Sequence, residues 1–286
     1  MKIITDKRCT EYGRAGHPER PERIRLTVEK LRQQTTFPVE FEEPLGKVDK
    51  EILRVHSAAH LERLRQPLDF DPDTPAYPRI LEYARRAVGG ALAALECARR
   101  SELAFSLMRP PGHHALRERA MGFCYLNNVA IAVLEARNQG VARVAVYDFD
   151  VHHANGTEAI LLHDPGCSLF SIHQYPNYPG TGAQSVGNSH NFPVAPLTPH
   201  LEYRKVLEKA IEELKMFQPD LVAVSAGFDA CRGDPIANEL LEPDDYHWLG
   251  RSLRALGFPL FGVLEGGYSE NLPELVLAFL SGLEGK

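Results

Sequence analysis

Three side chains near the middle of the chain have the types and the spacing to hold a metal ion. Asp148, Asp150 and His152 recur at every second position at the end of the apolar run Val144–Phe149. Alternate residues of an extended strand point to one face, so all three would lie together if the strand continues. Two carboxylates and an imidazole are costly to bury on one face unless a cation compensates them. Zinc accepts both oxygen and nitrogen ligands, and the pattern therefore predicts a divalent metal site.

Reactive side chains also come directly after four other short apolar runs. They are a tandem pair of histidines, a single histidine, an aspartate and a tyrosine preceded by two glycines: His113 and His114, His173, Asp229, and Tyr268. Ligands of an open parallel sheet bind beyond the carboxyl ends of its strands. If the apolar runs are parallel strands, these residues form one polar cluster, which is typical of an active site.

The best set of metal ligands combines Asp150 and His152 with Asp229 from a neighbouring strand. Three protein ligands leave one position for water, which is the arrangement of catalytic rather than structural zinc sites. An isolated Asp-x-Asp-x-His could equally be a turn or a helix-cap cluster. Its combination with tandem histidines and with Asp229 favours the metal site.

The elements that must position these residues alternate along the chain. Helical periodicity is present in six segments: Pro21–Gln34, Pro78–Arg100, Leu126–Asn138, Leu201–Phe217, Pro243–Leu256 and Leu272–Leu283. Between them lie short apolar runs: Leu103–Met108, Val144–Phe149, Ser168–Ile172, Leu221–Ser225 and Leu260–Leu264. This alternation is typical of a parallel sheet covered on both faces. We therefore predict a single α/β domain over residues 1–286, with a central, mostly parallel sheet and its active site at the strand carboxyl ends.

Three local features refine this prediction. The spacing within Leu201–Phe217 predicts that Leu201, Val206, Ala210, Ile211 and Leu214 face the core. Gly140 is expected to end the preceding helix in a left-handed conformation. Gln66–Pro78, rich in proline and aspartate, is expected to form a long surface loop.

Composition argues against several functional classes. The 286 residues are 44% hydrophobic and 24% charged, with a net charge of −6. Partners such as nucleic acid or an acidic membrane surface would need a basic face. No run approaches the roughly 20 apolar residues of a membrane span, and the start lacks a secretion signal. Five scattered cysteines without a Cys-x-x-Cys pair fit reduced thiols, so we expect a cytoplasmic protein.

The motifs, in their order along the chain, resemble those of the histone deacetylase superfamily, including bacterial deacetylase-like amidohydrolases and acetylpolyamine amidohydrolases. The resemblance extends from His17–Arg23 to Glu265–Tyr268. It implies an arginase/deacetylase-like fold and a hydrolase that cleaves a linear N-acyl amide with one metal ion. Asn155 stands where some members keep an aspartate, and together with Glu265 it is similar to the class II branch.

The resemblance also implies roles for individual residues. Asp150, His152 and Asp229 would hold one catalytic Zn²⁺, with Fe²⁺ as an alternative in the cell. The catalytic residues would be the tandem histidines, the tyrosine that polarises the amide carbonyl, and the residues that orient the two histidines: His113, His114, Tyr268, Asp148 and Asn155. A structural K⁺ or Na⁺ would lie among Asp148, Asp150, His152, Ser171 and Ile172.

Substrate contacts follow from the same resemblance. Phe123 and Tyr178 would form the walls of an acyl-lysine tunnel, and the backbone carbonyl of Gly122 would contact the substrate. Tyr178 replaces the phenylalanine that is common at this position, which bears on the width and polarity of the tunnel. Relatives keep a carboxylate that grips the substrate backbone in the loop containing Asp71 and Asp73. Either residue could instead serve turn formation.

The implied function is hydrolysis of an N-acyl amide, most simply acetyl, on a lysine side chain or a similar extended amine. Acetylpolyamine hydrolysis is the alternative, and a non-catalytic protein that binds an acylated ligand is a weaker one. An arginase-type ureohydrolase would need two further carboxylates where this chain has Ala154 and Cys231. The sequence leaves open the physiological acyl group, the amine that carries it and the oligomeric state.

Overall fold

The computed structural model describes residues 1–286, in which eight strands form one sheet. Their bounds are β1 Lys2–Ile4, β2 Glu40–Glu42, β3 Ala104–Ser106, β4 Val144–Asp148, β5 Cys167–Gln174, β6 Ser189–Val194, β7 Leu221–Ala226 and β8 Leu260–Leu264. Every pairing is parallel, and the strand order is β2-β1-β3-β8-β7-β4-β5-β6. The predicted α/β architecture is confirmed.

Nine helices accompany the sheet, because parallel neighbours need crossover connections. They are α1 Glu22–Gln33, α2 Asp49–Val55, α3 Ala58–Arg63, α4 Ile80–Arg99, α5 Asn128–Asn138, α6 Asn155–Leu161, α7 His200–Phe217, α8 Pro243–Ala255 and α9 Leu272–Leu283, with a 3₁₀ turn at Lys7–Thr10. The six predicted helices all form, with ends that differ by at most two residues. None of the nine helices combines the length and the apolarity that crossing a bilayer requires.

The prediction missed only short or peripheral elements. α2, α3 and α6 contain seven, six and seven residues, which is about two helical turns and too short for a clear period. β1 and β2 have three residues each, and β6 is an edge strand containing Pro193. Such a strand tolerates proline because one side of it needs no ladder hydrogen bonds.

The sheet separates two hydrophobic layers of the core. Ala145 and Tyr147 of β4 belong to the layer covered by α1, α7, α8 and α9. Val144 and Val146 belong to the layer covered by α4 and α5. Alternate side chains of one strand thus enter opposite layers, which fixes the register of β4.

Two local predictions have different outcomes. Gly140 has φ +91° just beyond α5, as predicted for a left-handed helix end. The prediction that Leu201 is buried is wrong, since this residue lies in the first turn of α7 and is 57% exposed. The buried face of α7 begins instead at Tyr203 and continues through Leu207.

Helices α8 and α9 approach each other through glycines. A Cβ atom at Gly250 would lie 2.2 Å from the carbonyl oxygen of Phe279, and one at Gly282 would lie 2.1 Å from that of His247. These contacts are with backbone atoms, which cannot move aside without shifting a helix. The close crossing of α8 and α9 therefore requires glycine, which has no side chain, at positions 250 and 282.

We predict that Gly250→Ala destabilises the protein although alanine favours a helix by roughly 1 kcal/mol over glycine. Overpacking of about 1–3 kcal/mol should exceed that gain and lower the free energy of unfolding, measured by urea denaturation. Gly46→Ala is the control, because a Cβ atom there meets nothing within 4 Å. Equal stability of the two variants would contradict the prediction.

Candidate active site

The carboxyl ends of β4, β7 and β8 bring the predicted site residues to one edge of the sheet. Asp148 is the last residue of β4 and pairs in register with Ser225 of β7. Asp150 and His152 follow in the next loop, Asp229 follows β7, and the segment ending at Tyr268 follows β8. The strand-end argument thus places the residues correctly.

β4 does not continue to His152, so a persistent strand is not what aligns the three residues. An Asp148 carboxylate oxygen accepts the Asp150 N–H at 3.1 Å, and an Asp150 oxygen accepts the His152 N–H at 2.9 Å. Carboxylates that capture the backbone two residues further on favour turns over strands. Two successive turns of this kind lead the chain out of β4 and keep the side chains together.

Asp150, His152 and Asp229 form a compact buried cluster. Their candidate ligand atoms all lie within 4.8 Å of one another. Nδ1 of His152 is 3.1 Å from Asp150 Oδ1 and 3.1 Å from Asp229 Oδ2. Glycines provide the space, since a Cβ atom at Gly227 would lie 2.1 Å from Asp150 Oδ2 and one at Gly266 would lie 2.0 Å from Asp229 Oδ2.

The charge balance of this cluster fits a divalent cation. Burial, followed by the negative charge of Asp150, raises the pKa of the Asp229 carboxyl. Two buried carboxylates therefore compete for the same imidazole, and a protonated His152 alone neutralises the charge of at most one of them. A cation that accepts oxygen and nitrogen ligands would satisfy both.

The tandem histidines have different partners. Nδ1 of His113 lies 3.2 Å from Oδ2 of Asp148. Nδ1 of His114 lies 2.7 Å from Oδ1 of Asn155. Because an amide oxygen only accepts, Nδ1 of His114 carries the proton and Nε2 presents its lone pair.

These partners give the two imidazoles opposite protonation. Although burial opposes a charge, Asp150 and Asp148 raise the pKa of His113 to about 10. Burial, followed by the positive charges of His113 and His152, lowers the pKa of His114 well below its usual 6.5. The pair consequently contains one cationic and one neutral imidazole, with ring centroids 4.0 Å apart.

Glu265 anchors the backbone of the tandem histidines, a role that sequence reasoning did not assign. Its Oε2 accepts the N–H groups of Gly112 at 2.7 Å and His113 at 3.0 Å. Burial raises the pKa of this carboxyl to about 7. The residue drew attention in the sequence only through its place before Gly266, Gly267 and Tyr268.

Tyr268 is held from two sides by residues that sequence reasoning also missed. Oδ2 of Asp234 accepts the N–H groups of Tyr268 at 2.8 Å and Ser269 at 3.2 Å. Arg23 donates to the carbonyl oxygen of Gly267 at 2.7 Å, and its guanidinium lies 4.8 Å from the centre of the Tyr268 ring. The only sequence signal for either residue is a charge within a motif.

Phe123 and Tyr178 line a cavity of about 330 Å³, together with His114, His152 and Tyr268. The rings of Phe123 and Tyr268 meet edge to face at 5.5 Å, and those of His114 and Tyr178 meet at 5.1 Å. Burial raises the pKa of Tyr268 well above 10, so its hydroxyl keeps the proton and can donate. The predicted tunnel walls therefore stand beside the metal cluster.

The backbone before the Phe123 wall is unusual. Gly122 has φ +56° and Phe123 has φ +67°. The second value is uncommon for a bulky residue and indicates local strain. A Cβ atom at Gly122 would lie 2.4 Å from the His114 ring, so this position places the backbone directly against the histidine.

The Gln66–Pro78 segment forms a loop without helix or strand, as predicted, and the structure distinguishes its two aspartates. Asp73 lines the same cavity. Asp71 accepts the N–H of Asp73 at 3.0 Å and therefore serves turn formation. Thr74 accepts the N–H of Phe123 at 3.1 Å and ties the loop to the tunnel wall.

Ser171 lies beside the last residue of β4, as the suggested monovalent-cation site requires. Asp148 and Ser171 pair in register between β4 and β5, and Ile172 follows in the same strand. Ser171 and Ile172 are both buried. Three of the five residues named for this cation, Asp148, Ser171 and Ile172, are therefore neighbours in space.

A buried ion-pair network fixes the N-terminal segment beside the site. Arg109 is fully buried and binds Glu19 and the carbonyl oxygen of Cys9, the latter at 2.7 Å. The same Glu19 carboxylate contacts Arg23 at 3.3 Å. Glu19 thus joins Arg109, in the loop after β3, to Arg23, which supports Tyr268.

Comparisons with known proteins agree with this geometry. The histone deacetylase domain family matches residues 17–283. A probable deacetylase from Methanothermobacter thermautotrophicus is 39% identical over 303 residues, covering 100% of this chain and 91% of the relative. The crystal structure of the HDA15 HD domain has a TM-score of 0.92 at 31% identity, covering 100% of this chain and 89% of that one. An acetylpolyamine aminohydrolase from Burkholderia pseudomallei has a TM-score of 0.90 at 28% identity, covering 99% and 98%.

We predict that Glu19→Gln lowers the free energy of unfolding by about 3–5 kcal/mol at pH 7, because two buried guanidinium groups lose their shared anion. Urea denaturation measures the change. Glu22→Gln is the control, since Glu22 is only half-buried in the first turn of α1. Its effect should stay within about 1 kcal/mol.

The difference between Glu19→Gln and the unaltered protein should also depend on pH. Although burial opposes ionisation, Arg109 and Arg23 lower the pKa of Glu19 from its usual 4.5. A lowered folded-state pKa gives stability that is present above pH 4.5 and is lost as the pH falls below it. The difference in the free energy of unfolding should therefore narrow as the pH falls below 4.5. A difference that widens on acidification would contradict the assignment.

Proposed function

The chain belongs to the histone deacetylase family of metal-dependent amidohydrolases, and from this premise we propose that it hydrolyses an N-acyl amide, chiefly acetyl, on a lysine side chain or a similar extended amine. The observation that carries the proposal is the buried cluster of Asp150, His152 and Asp229 beside a cavity walled by Phe123 and Tyr178. An extended acyl-amine between the two rings would bring its amide to the cluster.

One catalytic Zn²⁺ is proposed for Asp150, His152 and Asp229, with Fe²⁺ as the alternative. When bound, such an ion supplies Lewis-acid polarisation of the scissile carbonyl and acidifies water. A two-metal ureohydrolase is disfavoured because Ala154 and Cys231 stand where further carboxylates would be needed.

His114 is proposed as the general base and acid. Its Nδ1 proton is committed to Asn155, so Nε2 accepts the proton of the attacking water and returns it to the leaving amine nitrogen. Asn155 is neutral and orients the ring without raising its basicity as a carboxylate would. His113, protonated and paired with Asp148, stabilises negative charge that develops beside it.

Tyr268 is proposed to donate its hydroxyl hydrogen to the developing oxyanion, a contribution of roughly 3–4 kcal/mol. The anchors on both sides of its loop, Asp234 and Arg23, keep the ring at the cavity without a large entropic cost on substrate binding. The backbone carbonyl of Gly122 is proposed to contact the substrate.

A monovalent cation, K⁺ or Na⁺, is proposed among Asp148, Asp150, His152, Ser171 and Ile172. Support comes from the pairing of Asp148 with Ser171 across neighbouring strands and from the two turns that bring Asp150 and His152 back over the strand end. Its contribution would be to hold the loop that carries two metal ligands.

Hydrolysis of an acetylated polyamine is the second candidate, favoured by the similarity to an acetylpolyamine aminohydrolase. Asp73 at the cavity suits either substrate, since a carboxylate can pair with an ammonium group or accept peptide N–H groups. Parallel assays with an acetyl-lysine peptide and with acetylspermidine separate the two functions. A metal-loaded protein inert towards both and towards a panel of acyl-lysines would indicate a non-catalytic binding protein.

We predict that Asp150→Ala loses both bound metal and deacetylase activity, because two remaining ligands cannot retain the ion. Metal content after dialysis, measured by mass spectrometry, and turnover of an acetyl-lysine peptide are the readouts. Asp244→Ala, at an exposed position of α8, should retain both. An Asp150→Ala protein with full metal content would refute the ligand assignment.

Tyr268→Phe should reduce kcat by a factor on the order of 10² to 10³, because the oxyanion loses its donor. Metal content should remain unchanged, which separates the loss from a damaged metal site. Tyr83→Phe removes a hydroxyl that binds Glu11 away from the cavity and should leave kcat unaffected. Full activity of Tyr268→Phe would remove the tyrosine from the mechanism.

A further inference from the structure

The tunnel wall that contains Tyr178 belongs to a loop between β5 and β6, residues 175–182, here called the tunnel loop. The ring of Tyr178 lies 5.1 Å from that of His114 and 6.4 Å from that of His152. At its start the loop is tied down by the Gln174 and Tyr175 N–H groups, which donate to backbone carbonyls. The position of Tyr178 therefore also depends on the contacts that hold the far end of the tunnel loop, near residue 182.

His173 of β5 holds the backbone at that end. Its Nε2 lies 3.0 Å from the carbonyl oxygen of Gly182, and a carbonyl only accepts, so Nε2 donates. Nδ1 then accepts from the hydroxyl of Ser171, 3.0 Å away. The approach is too close for a side chain, because a Cβ atom at Gly182 would lie 2.5 Å from His173 Nε2.

His153 holds the adjacent residue of the loop, and a half-buried acid, Glu158, holds His153. Glu158 Oε2 accepts from Ser189 at 2.7 Å, Asn191 at 2.8 Å and His153 Nε2 at 3.2 Å. Although burial opposes its charge, these donors lower the pKa of Glu158 to about 2. The ionised acid only accepts, so Nε2 of His153 donates to it. Nδ1 is hydrogen-bonded to the Thr181 hydroxyl at 2.8 Å.

We propose that His153 and His173 are positioning residues that set acyl-chain selectivity by fixing the tunnel loop and, through it, Tyr178. The two rings are buried with centroids 4.7 Å apart, and neither lines the cavity. His153 binds the side chain of Thr181, and His173 binds the backbone carbonyl of the next residue, Gly182. This inference rests on the proposed deacylase function.

The consequence concerns substrates longer than acetyl. A loop fixed at both ends keeps Tyr178 against His114 and restricts the tunnel, whereas a loop released at Thr181 lets the wall move outward. Release should weaken the binding of an acetyl group, which needs the close wall, and should favour a butyryl group in comparison.

Thr181→Val tests the proposal, because it removes the hydroxyl at nearly constant shape and at an exposed position where the fold should tolerate it. The ratio of kcat/KM for acetyl-lysine to that for butyryl-lysine peptide should fall about fivefold, chiefly through KM for the acetyl substrate. Amide hydrogen exchange of residues 175–182 should become faster. Thr198→Val is the matched control, since its hydroxyl also makes one short hydrogen bond, to the carbonyl oxygen of Ala195.

The outcomes separate the proposal from the function on which it rests. An unchanged ratio, or equal losses for both substrates, overturns the selectivity role even if exchange accelerates. Wild-type protein that is inactive towards every acyl-lysine and towards acetylspermidine overturns the proposed function. In that case unchanged exchange in Thr181→Val also overturns the anchoring of the loop, and faster exchange retains the anchoring alone.

Discussion

The burial of two carboxylates beside one imidazole is the constraint on which the rest of the site depends. Asp150 and Asp229 have no exposed surface, and an uncompensated charge of this kind would cost several kcal/mol. The chain meets the constraint with backbone donors, since Gly266 donates to Asp150 at 2.7 Å and Val151 donates to Asp229 at 2.8 Å. Those donors come from loops after β8 and β4. The cluster consequently requires three strands to end at the same level, which a parallel sheet provides.

Buried or half-buried acids outside the cluster position the remaining groups in the same way. Glu265 holds the backbone of the tandem histidines, Asp234 holds that of Tyr268, and Glu158 holds the imidazole of His153. A buried carboxylate must find hydrogen-bond donors, and a loop rearrangement that removed them would leave it unsatisfied. Each acid therefore favours one conformation of an irregular loop. Glu19 extends this principle to the N-terminal segment.

The architecture and the convergence of the three candidate metal ligands could be predicted from the sequence for one physical reason. The periodicity of apolar residues and the alternation of helices with strands can be recognised locally in the sequence. Because the carboxyl ends of parallel strands meet at one edge of the sheet, Asp229 could be placed beside Asp150 across 78 intervening positions. The supporting residues had no such signal. Asp234 acts on a backbone N–H of Tyr268, and Arg23 acts on a carbonyl 244 residues away. Such contacts depend on loop conformations that no periodicity encodes. The condition that the strand continues to His152 is not met for the same reason, because the side chains of Asp148 and Asp150 form turns.

The tandem histidines show that the protonation state of an imidazole, and hence its proposed role, depends on the surrounding residues. Both rings are buried at the same strand end, yet one is held cationic and the other neutral. The surrounding charges make the difference, because Asp150 and Asp148 face His113, whereas burial and the positive charges of His113 and His152 act on His114. A carboxylate at position 155 would raise the proton affinity of His114 and bring the two rings towards the same charge. The amide therefore does more than orient the ring: because it carries no charge, it adds no negative charge beside His114 and so helps to keep this imidazole neutral next to the protonated His113.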